Sequence, residues 1–299
     1  MNKLTACTFM TGAALWAAMA LAGCQQETEN SDYVKSDRLE IETSLGTRSL
    51  EAGPNFAPGK TIGVFLCNPD GSPYKGITAG NENVPYFSED RGTTIAWVSN
   101  SPIILYPSAG KTVAYYPYND AVSNMHAIPV DATTQEDYMY SGWVEPVSSN
   151  TPKVTYAMKH ALSVVKINIS KGTYSGTGAV SKISIKSTGL ATSATLDATT
   201  GVLSAFHGEN TPIETAEAFT LAPEKRTFEL MAVPNGTKAD LNIQIEMDGD
   251  VQSIKKTPAE AWAKGTLYEL NIVVNDYVQT KSAESPKPMY EITEGYTIR

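Results

Sequence analysis

Few side chains in this sequence could take part in catalysis. The 299 residues include three His and three Cys, so a His-rich metal site or a disulfide framework has little material. His126 and His207 lie in apparent loops and His160 precedes a strand-like run, with no nucleophile motif beside any of them. Asp131 and Glu136 could bind Ca²⁺, but they lack the dense ligand spacing of an EF-hand loop. We therefore expect a protein that is not an enzyme, with no cofactor and no metal.

The most specific chemical signal is Cys24 in the run Leu21-Ala22-Gly23-Cys24, which follows Lys3 and an apolar stretch from Met10 to Leu21. That stretch is shorter than the ~20 residues that span a bilayer. The run resembles the lipobox of bacterial lipoproteins, which implies a signal peptide over residues 1–23 and cleavage between Gly23 and Cys24. By this resemblance, Cys24 carries acyl chains such as palmitate and anchors the protein in the outer membrane. The alternative is an ordinary signal peptide with an incidental Cys.

Composition indicates a folded globule and excludes several classes of partner. Hydrophobic residues make up 41% and charged residues 18% of the chain, which is typical of neither a disordered tail nor a coiled coil. The net charge of −9 would repel a phosphate backbone, so we expect no nucleic-acid partner. Cys67 follows an apolar run and is expected to be a buried hydrophobe rather than a nucleophile.

Apolar and polar residues alternate with period two in segment after segment, which predicts half-buried β-strands. The first such segment carries Leu39, Ile41 and Leu45, and later ones include the run from Leu241 to Met247. Turn residues such as Asp248-Gly249 separate the segments. One short helix is possible at 258–264. The pattern favours an all-β protein built from sandwiches.

The domain organisation follows from changes in composition. Residues 24–37 are polar and acidic and predict a tether, and a polar, Pro-containing segment near residue 150 predicts a boundary. We therefore expect β-sandwiches at 38–150 and 151–275, followed by a linker and a separate strand-like segment within 276–299.

The order of these features resembles the fimbrillin family, the Bacteroidia-type or type V pilins. The resemblance runs from Cys24 to Val274 and rests on the order and spacing of short elements, with no single decisive motif. These elements are the lipobox, the tether, the first strand, an Arg in a loop, Ile62-Gly63-Val64-Phe65, Tyr115-Tyr116-Pro117-Tyr118, Gln135 to Tyr140, His160 to Ile167, and Trp262 with Gly265 and Tyr268. The resemblance implies two tandem transthyretin-like β-sandwiches, lipoprotein export and assembly into surface fimbriae. It also implies that an Arg-specific protease removes the first strand and that a neighbour's C-terminal strand replaces it.

Arg48 is the candidate processing site under this resemblance. It follows the first strand and precedes a Gly- and Pro-rich stretch that predicts an exposed loop, so cleavage would leave Ser49 as the new N-terminus. Loss of the strand that carries Leu39, Ile41 and Leu45 would open an apolar groove beside unpaired backbone groups. The alternative is that Arg48 is an ordinary solvated residue. Arg38 is the weaker candidate, because a cut there leaves the strand in place.

The C-terminal segment is the candidate donor strand. Its apolar face carries Tyr290, Ile292, Tyr296 and Ile298, interrupted by Glu294 and Gly295. A lone strand cannot bury such a face and needs a sheet to join. The segment could join a neighbouring subunit, fold back on its own domain or remain frayed.

Two other functions stay open. Within the family, an anchor subunit would keep its lipid and its first strand. Outside it, a monomeric surface lipoprotein could bind glycan by stacking sugar rings on Tyr115, Tyr116, Tyr118, Trp97 or Trp143. The expected partners are other fimbrial subunits, in a homopolymer or a mixed polymer, and a host or bacterial surface ligand whose identity the sequence does not indicate.

Overall fold

Strands form the regular structure in the described part of the chain, apart from two 3-10 turns at Tyr74–Gly76 and Ala132–Thr134. The structure is a computed structural model and describes residues 37–46, 56–92, 94–215 and 217–276, together with the backbone at 290–291 and 297–298. The prediction of an all-β protein is confirmed.

The first half of the chain forms one large sheet. Its strands and one further strand, β6, are β1 Glu40–Leu45, β2 Thr61–Cys67, β3 Val84–Asp90, β4 Ile95–Val98, β5 Gly110–Tyr116, β6 Ile128–Asp131, β7 Met139–Tyr140, β8 Val144–Val147 and β9 Lys153–His160. The order in the sheet is β1-β9-β7-β5-β2-β3-β4, and β8 pairs with β5. Strand β5 ends at Tyr116, directly before Pro117, as expected for a residue that cannot donate to a β-ladder.

The second half forms two sheets that enclose a core of their own. The strands are β10 Ser163–Lys171, β11 Ala179–Lys186, β12 Leu190–Ala191, β13 Ser193–Leu196, β14 Leu203–His207, β15 Ile213–Thr215, β16 Phe219–Thr220, β17 Arg226–Pro234, β18 Leu241–Met247, β19 Asp250–Lys256, β20 Leu267–Val274, β21 Tyr290–Glu291 and β22 Thr297–Ile298. One sheet has the order β12-β17-β10-β20, with β21 and β22 on the outer edge of β20, and the other has the order β15-β11-β18-β19, with β16 on β11. Side chains from both sheets share one hydrophobic cluster.

The alternation read from the sequence is clearest in β18. Its apolar residues are buried and the residues between them are half-buried. The turn to β19 consists of Asp248 and Gly249, both at positive φ (53° and 87°), which is the geometry of a tight hairpin turn. The central strand β10 lies between β17 and β20 and is largely buried on both faces. The side chain of Asn168 on this strand donates to Glu269 and accepts from Thr227.

A third core joins the two halves. Strand β6 from the first half pairs with β13 from the second in a three-stranded sheet, β14-β13-β6. Around it lies a cluster with members from both halves, including Phe65, Tyr115, Leu196 and Val233. The halves therefore share a sheet and a core.

The division between the large sheets differs from the predicted boundary. The polar segment near residue 150 contains β8 and a tight turn, and β9 after it still belongs to the first sheet. The chain enters the second sheet only after Ala161 and Leu162, both fully buried. Prolines and polar residues mark a surface turn equally well within a domain and between domains, which explains the difference.

The short helix considered at 258–264 is wrong. This stretch is irregular because Trp262 turns inward: it is 1% exposed and donates from Nε1 to the Ala239 carbonyl at 2.9 Å. The hydroxyl of Tyr268 accepts from the backbone N–H of Ala263 and donates to the carbonyl of Ala261. These bonds satisfy backbone groups that a helix would have paired internally.

Candidate functional site

The predicted first strand, β1, lies at the edge of the first sheet and pairs in parallel with β9. The register runs without a break from Glu40 opposite Lys153 to Leu45 opposite Met158. Backbone bonds extend this pairing at both ends: Glu40 N donates to Pro152 O (2.9 Å), and Gly46 N donates to Met158 O (2.8 Å). The strand is thus held on one side by a continuous six-residue pairing.

The other side of the N-terminal segment contacts the opposite end of the same sheet. Leu39 N donates to Ile103 O at 3.0 Å, and Leu105 N donates to Asp37 O at 2.6 Å. Further along, Trp97 of β4 donates from Nε1 to the Thr43 hydroxyl of β1 at 3.1 Å. Because β1 and β4 are the two ends of the sheet, these contacts curl it almost closed. We call the space that β1 fills, between β9 on one side and residues 97–105 on the other, the β1 slot.

The three predicted apolar side chains of this segment point into the slot. Leu39 is 4% and Ile41 8% exposed within the core of the first sheet, and Leu45 is half-buried against the same core. Full burial of an aliphatic side chain contributes about 1.5–3 kcal/mol. The inner face of the β1 slot is therefore apolar.

The wall of the slot on β9 alternates strictly between buried and exposed residues. Its buried side chains are Val154, Tyr156 and Met158. Desolvation raises the pKa of Tyr156 far above its ordinary value, and its hydroxyl pairs with that of Thr112 at 2.7 Å. Beyond the core face, Lys153 and Glu42 form an exposed ion pair at 2.6 Å, which contributes little to stability. Without β1, β9 would be an edge strand with an apolar inner face.

Trp97 is the residue of this site that the sequence did not identify. The sequence indicates it only as a candidate stacking surface for sugars. In the structure it is 8% exposed, with its ring edge-to-face on Phe56 and the ring centroids 5.3 Å apart. The sequence signal available was its place in a strand-like run, where aromatic residues are more often core than binding surface.

The C-terminal segment lies along the outer edge of β20. The backbone of β21 pairs antiparallel with Val273 and Val274, and that of β22 pairs with Tyr268 and Glu269. Tyr290 and Ile298 of the predicted donor face are in these two strands, and Ile292 and Tyr296 lie outside the described residues. The backbone thus pairs with the chain's own second sheet, one of the arrangements that the sequence left open.

The chain leaves β20 through a side-chain clamp formed by Asn275 and Asp276. Asn275 Oδ1 accepts from the backbone N–H of Thr173 at 2.9 Å. Asp276 Oδ1 accepts from the backbone N–H and hydroxyl of Ser175 at 2.8 and 3.0 Å. The starting point of the C-terminal segment is therefore fixed to the loop after β10.

Besides Ile292 and Tyr296, four predicted site residues lie outside the described part of the chain. These are the signal cleavage and lipidation residues Gly23 and Cys24 and the processing residues Arg48 and Ser49. The described chain stops at Gly46, next to β9, and resumes at Phe56 in the core of the first sheet.

The candidate catalytic residues do not come together. His160 is buried and pairs through Nδ1 with Asp137 Oδ2 at 2.5 Å, and His126 contacts Asp197 at 3.2 Å. Burial disfavours the ionised Asp197, but the hydrogen bonds from Thr199 and His126 hold its pKa below the ordinary value. His207 ends β14 rather than lying in a loop.

The Cys67 thiol is buried, and the carboxylates of Asp131 and Glu136 accept hydrogen bonds from neighbouring residues. Burial raises the pKa of the Cys67 thiol, which opposes the reactive thiolate. Asp131 accepts hydrogen bonds from Thr133, and Glu136 accepts one from Tyr116. The described residues contain no cluster of three metal-ligating side chains, and none of their helices has the length and apolarity needed to cross a membrane.

The aromatic residues considered for glycan binding are mostly interior. Tyr115 (0% exposed), Tyr116 and Trp97 belong to the cores, which leaves no ring face for a sugar. Tyr118 is half-buried in a shallow surface cleft with Tyr138, and Trp143 is partly covered by Lys111, whose Nζ lies 4.3 Å from the ring centroid.

The sequence matches the family model described as Fimbrillin-like over residues 47–287, and the chain belongs to that family. It is 27% identical over 167 residues to a candidate fimbrium subunit of Bacteroides uniformis, Fim1C. That match covers 52% of this chain and 53% of the relative, so it spans about half the length of the curated relative.

Solved structures share the fold. A candidate cell adhesion protein from Bacteroides uniformis aligns with a TM-score of 0.63 at 21% identity, over 88% of this chain and 99% of that one. A second, from Bacteroides ovatus, aligns with a TM-score of 0.61 at 15% identity, over 86% and 96% of the two chains. At these identities the likeness concerns the fold.

Proposed function

We propose that this protein is a structural subunit of a cell-surface fimbria that supports adhesion. In this proposal it is exported as an outer-membrane lipoprotein acylated at Cys24, and it polymerises by exchange of its first strand for the C-terminal strand of a neighbour. In this proposal the two β-rich halves, joined by the shared core, correspond to the two transthyretin-like domains that the family resemblance implies. Membership of the fimbrillin-like family supports the general role. The observation that carries the mechanism is the β1 slot.

The slot suits exchange because one edge strand alone fills it. Removal of β1 would leave β9 with an apolar inner face and a row of unpaired backbone groups. Such an edge binds an added strand through main-chain hydrogen bonds and side-chain pockets. In the strand order of the sheet, β1 pairs only with β9, so the pairing among the other seven strands does not involve it.

The position of Arg48 suits removal of the whole strand. In the described residues the pairing of β1 with β9 extends to Gly46, so a cut after Arg48 falls on the C-terminal side of this pairing and detaches β1 as a unit. Arg38 lies within the paired region, bridged to Ile104, and a cut there would leave β1 attached to the chain. Of these two arginines, only Arg48 opens the slot.

The C-terminal segment can change its pairing partner by leaving its own domain. In the described residues it pairs with β20 through Tyr290–Glu291 and Thr297–Ile298, and the slot offers the six-residue register that β1 now uses. Each hydrogen bond of that register contributes about 0.5–1.5 kcal/mol. We infer that these bonds favour transfer to the slot of another subunit once β1 has gone.

The test is the intact mass and N-terminal sequence of the protein released from the cell surface. A mature chain that begins at Ser49 is expected for a polymerising stalk subunit. A chain that begins at acylated Cys24 would contradict processing and would favour the uncleaved anchor subunit.

A further inference from the structure

We propose that Trp97 sets the register of the strand that fills the β1 slot, and that Glu294 of a second copy of this chain provides the acceptor that Trp97 recognises. The proposal rests on strand exchange as the proposed function. It adds the register of the incoming strand, with Glu294 at the position that Thr43 occupies in β1.

Trp97 donates a side-chain hydrogen bond to β1 from the opposite end of the first sheet. Its indole N–H bonds to the Thr43 hydroxyl at 3.1 Å, and the ring is fixed against Phe56. When β1 leaves, this N–H loses its partner inside a site that the incoming strand closes again. A buried donor without a partner costs about 1–3 kcal/mol. The replacement strand must therefore bring an acceptor to this one position.

The C-terminal segment has the pattern that the slot requires. Along its inner face the native segment places two apolar residues, one acceptor and one apolar residue: Leu39, Ile41, Thr43 and Leu45. The C-terminal segment presents at the same spacing two apolar residues, one acceptor and two apolar residues: Tyr290, Ile292, Glu294, Tyr296 and Ile298. Because this second pattern is symmetric about Glu294, it fits the slot in either strand direction.

The chemistry of the acceptor position tolerates a carboxylate. Thr43 is half-buried, so a carboxylate there keeps access to water while it accepts from the indole. Charge-assisted bonds of this kind are stronger than neutral ones. A shift of two residues would place Ile292 or Tyr296 at Trp97, and neither offers an oxygen near the position of the Thr43 hydroxyl. Only the register that places Glu294 at Trp97 supplies an acceptor, so Glu294, which interrupts the apolar face, defines that register.

Disulfide trapping in polymers from cells that make the full chain tests this register. With Glu294 in place of Thr43, Thr293 takes the place of Glu42 or of Ser44, whose partners on β9 are Thr155 and Ala157. The double variants T293C with T155C and T293C with A157C cover the two strand directions. We expect one of them to form disulfide-linked multimers on a non-reducing gel.

Three further substitutions in the trapping variant separate recognition from folding. W97F keeps an aromatic ring and removes the indole N–H donor. E294L removes the carboxylate acceptor from the incoming C-terminal segment and leaves the residues that form the slot unchanged. Each should lower the yield of trapped multimers about tenfold, the effect of one charge-assisted hydrogen bond. E294Q keeps an acceptor oxygen and is the matched control, with an expected yield close to that of the unaltered chain.

The outcomes distinguish this inference from the proposed function. Polymers that form normally but trap in neither pair, or trap equally well with W97F and E294L, would overturn the register while leaving strand exchange in place. Absence of polymers from the unaltered chain would instead refute the proposed function, and the register with it.

Discussion

Two buried tyrosine hydroxyls stabilise the walls of the β1 slot. On one wall, Tyr156 of β9 is fully buried and pairs with Thr112, which in turn donates to the Phe65 carbonyl. On the other, the Tyr86 hydroxyl accepts from the backbone N–H of Ile103, next to the bond between Ile103 and Leu39. The β9 wall is thus held by the hydrogen bond of Tyr156 to Thr112, and the opposite wall by the hydrogen bond of Ile103 to Tyr86.

Tyr86 makes stability sensitive to alkaline pH. Burial raises its pKa from 10.0 to about 12 in the folded protein. Its neutral form is thus favoured by folding, so its full contribution is present below pH 10.0 and is lost as the pH rises towards 12. We expect the free energy of unfolding to fall across this window by up to about 1.4 kcal/mol per pH unit from this group.

The variant Y86F isolates that contribution. At neutral pH it should be less stable by about 1–3 kcal/mol, because the N–H of Ile103 loses its acceptor. Its alkaline slope in urea unfolding should be shallower than that of the wild type. Y106F, at an exposed ring, is the control and should keep the wild-type slope. Equal slopes for all three proteins would show that Tyr86 does not carry the effect.

At the residue scale, the sequence identified side chains whose environment follows from local pattern. It predicted Leu39, Ile41 and a buried Cys67 because strand alternation determines which residues face inward. It did not identify Trp97 as the partner of Thr43, because that contact joins residues from opposite ends of a sheet. Alternation gives the face of a side chain but no information on which distant strand it meets.

At the element scale, the strands were predictable and their partners were not. The run from Leu241 to Met247 indicates β18 directly, and Asp248-Gly249 indicates the hairpin to β19. The parallel pairing of β1 with β9 joins segments more than a hundred residues apart, and no short turn signals it. The same limit applies to β9, which follows the polar segment near residue 150 and pairs with β1 and β7 of the first sheet.

The hairpin between β18 and β19 predicts an acid-sensitive element. Asp248 accepts from the backbone N–H groups of Gly178 and Ala179 and from the Tyr174 hydroxyl. These bonds, led by the one from Gly178, lower its pKa below the ordinary 3.8. The stabilisation is therefore present above pH 3.8 and is lost as the pH falls through the lowered value.

We expect D248N to lower the melting temperature at neutral pH, since one amide oxygen cannot replace two carboxylate oxygens. The difference from wild type should shrink well below pH 3.8, where Asp248 of the wild type is protonated as well. D250N, on the same hairpin, is the control and should melt close to wild type at neutral pH. A difference for D248N that persists unchanged in acid would indicate a steric cause.

At the scale of the whole molecule, the shared core predicts that both halves unfold together. Leu196 is fully buried in that core, opposite Ile128 of the first half. We expect L196A to lower the free energy of unfolding by about 2–5 kcal/mol. Calorimetry should still show a single transition, at a lower temperature. Two separate transitions in the wild type would mean that β6 and β13 do not couple the halves.

In the proposed mechanism, assembly is a property of the whole chain and depends on both the first strand and the C-terminal segment. If the C-terminal segment fills the slot of the next subunit, deletion of 289–299 should abolish high-mass multimers while leaving the monomer folded, because most of the pairing of β20 is with β10. Replacement of 278–286 by a Gly/Ser stretch of equal length is the matched control, and it should still polymerise, since a linker of this kind mainly sets reach. The readout is the distribution of multimers from the cell surface on a denaturing gel without boiling. An unchanged distribution after the deletion would contradict donation. An equal loss on linker replacement would show that the sequence of 278–286 is itself required for assembly.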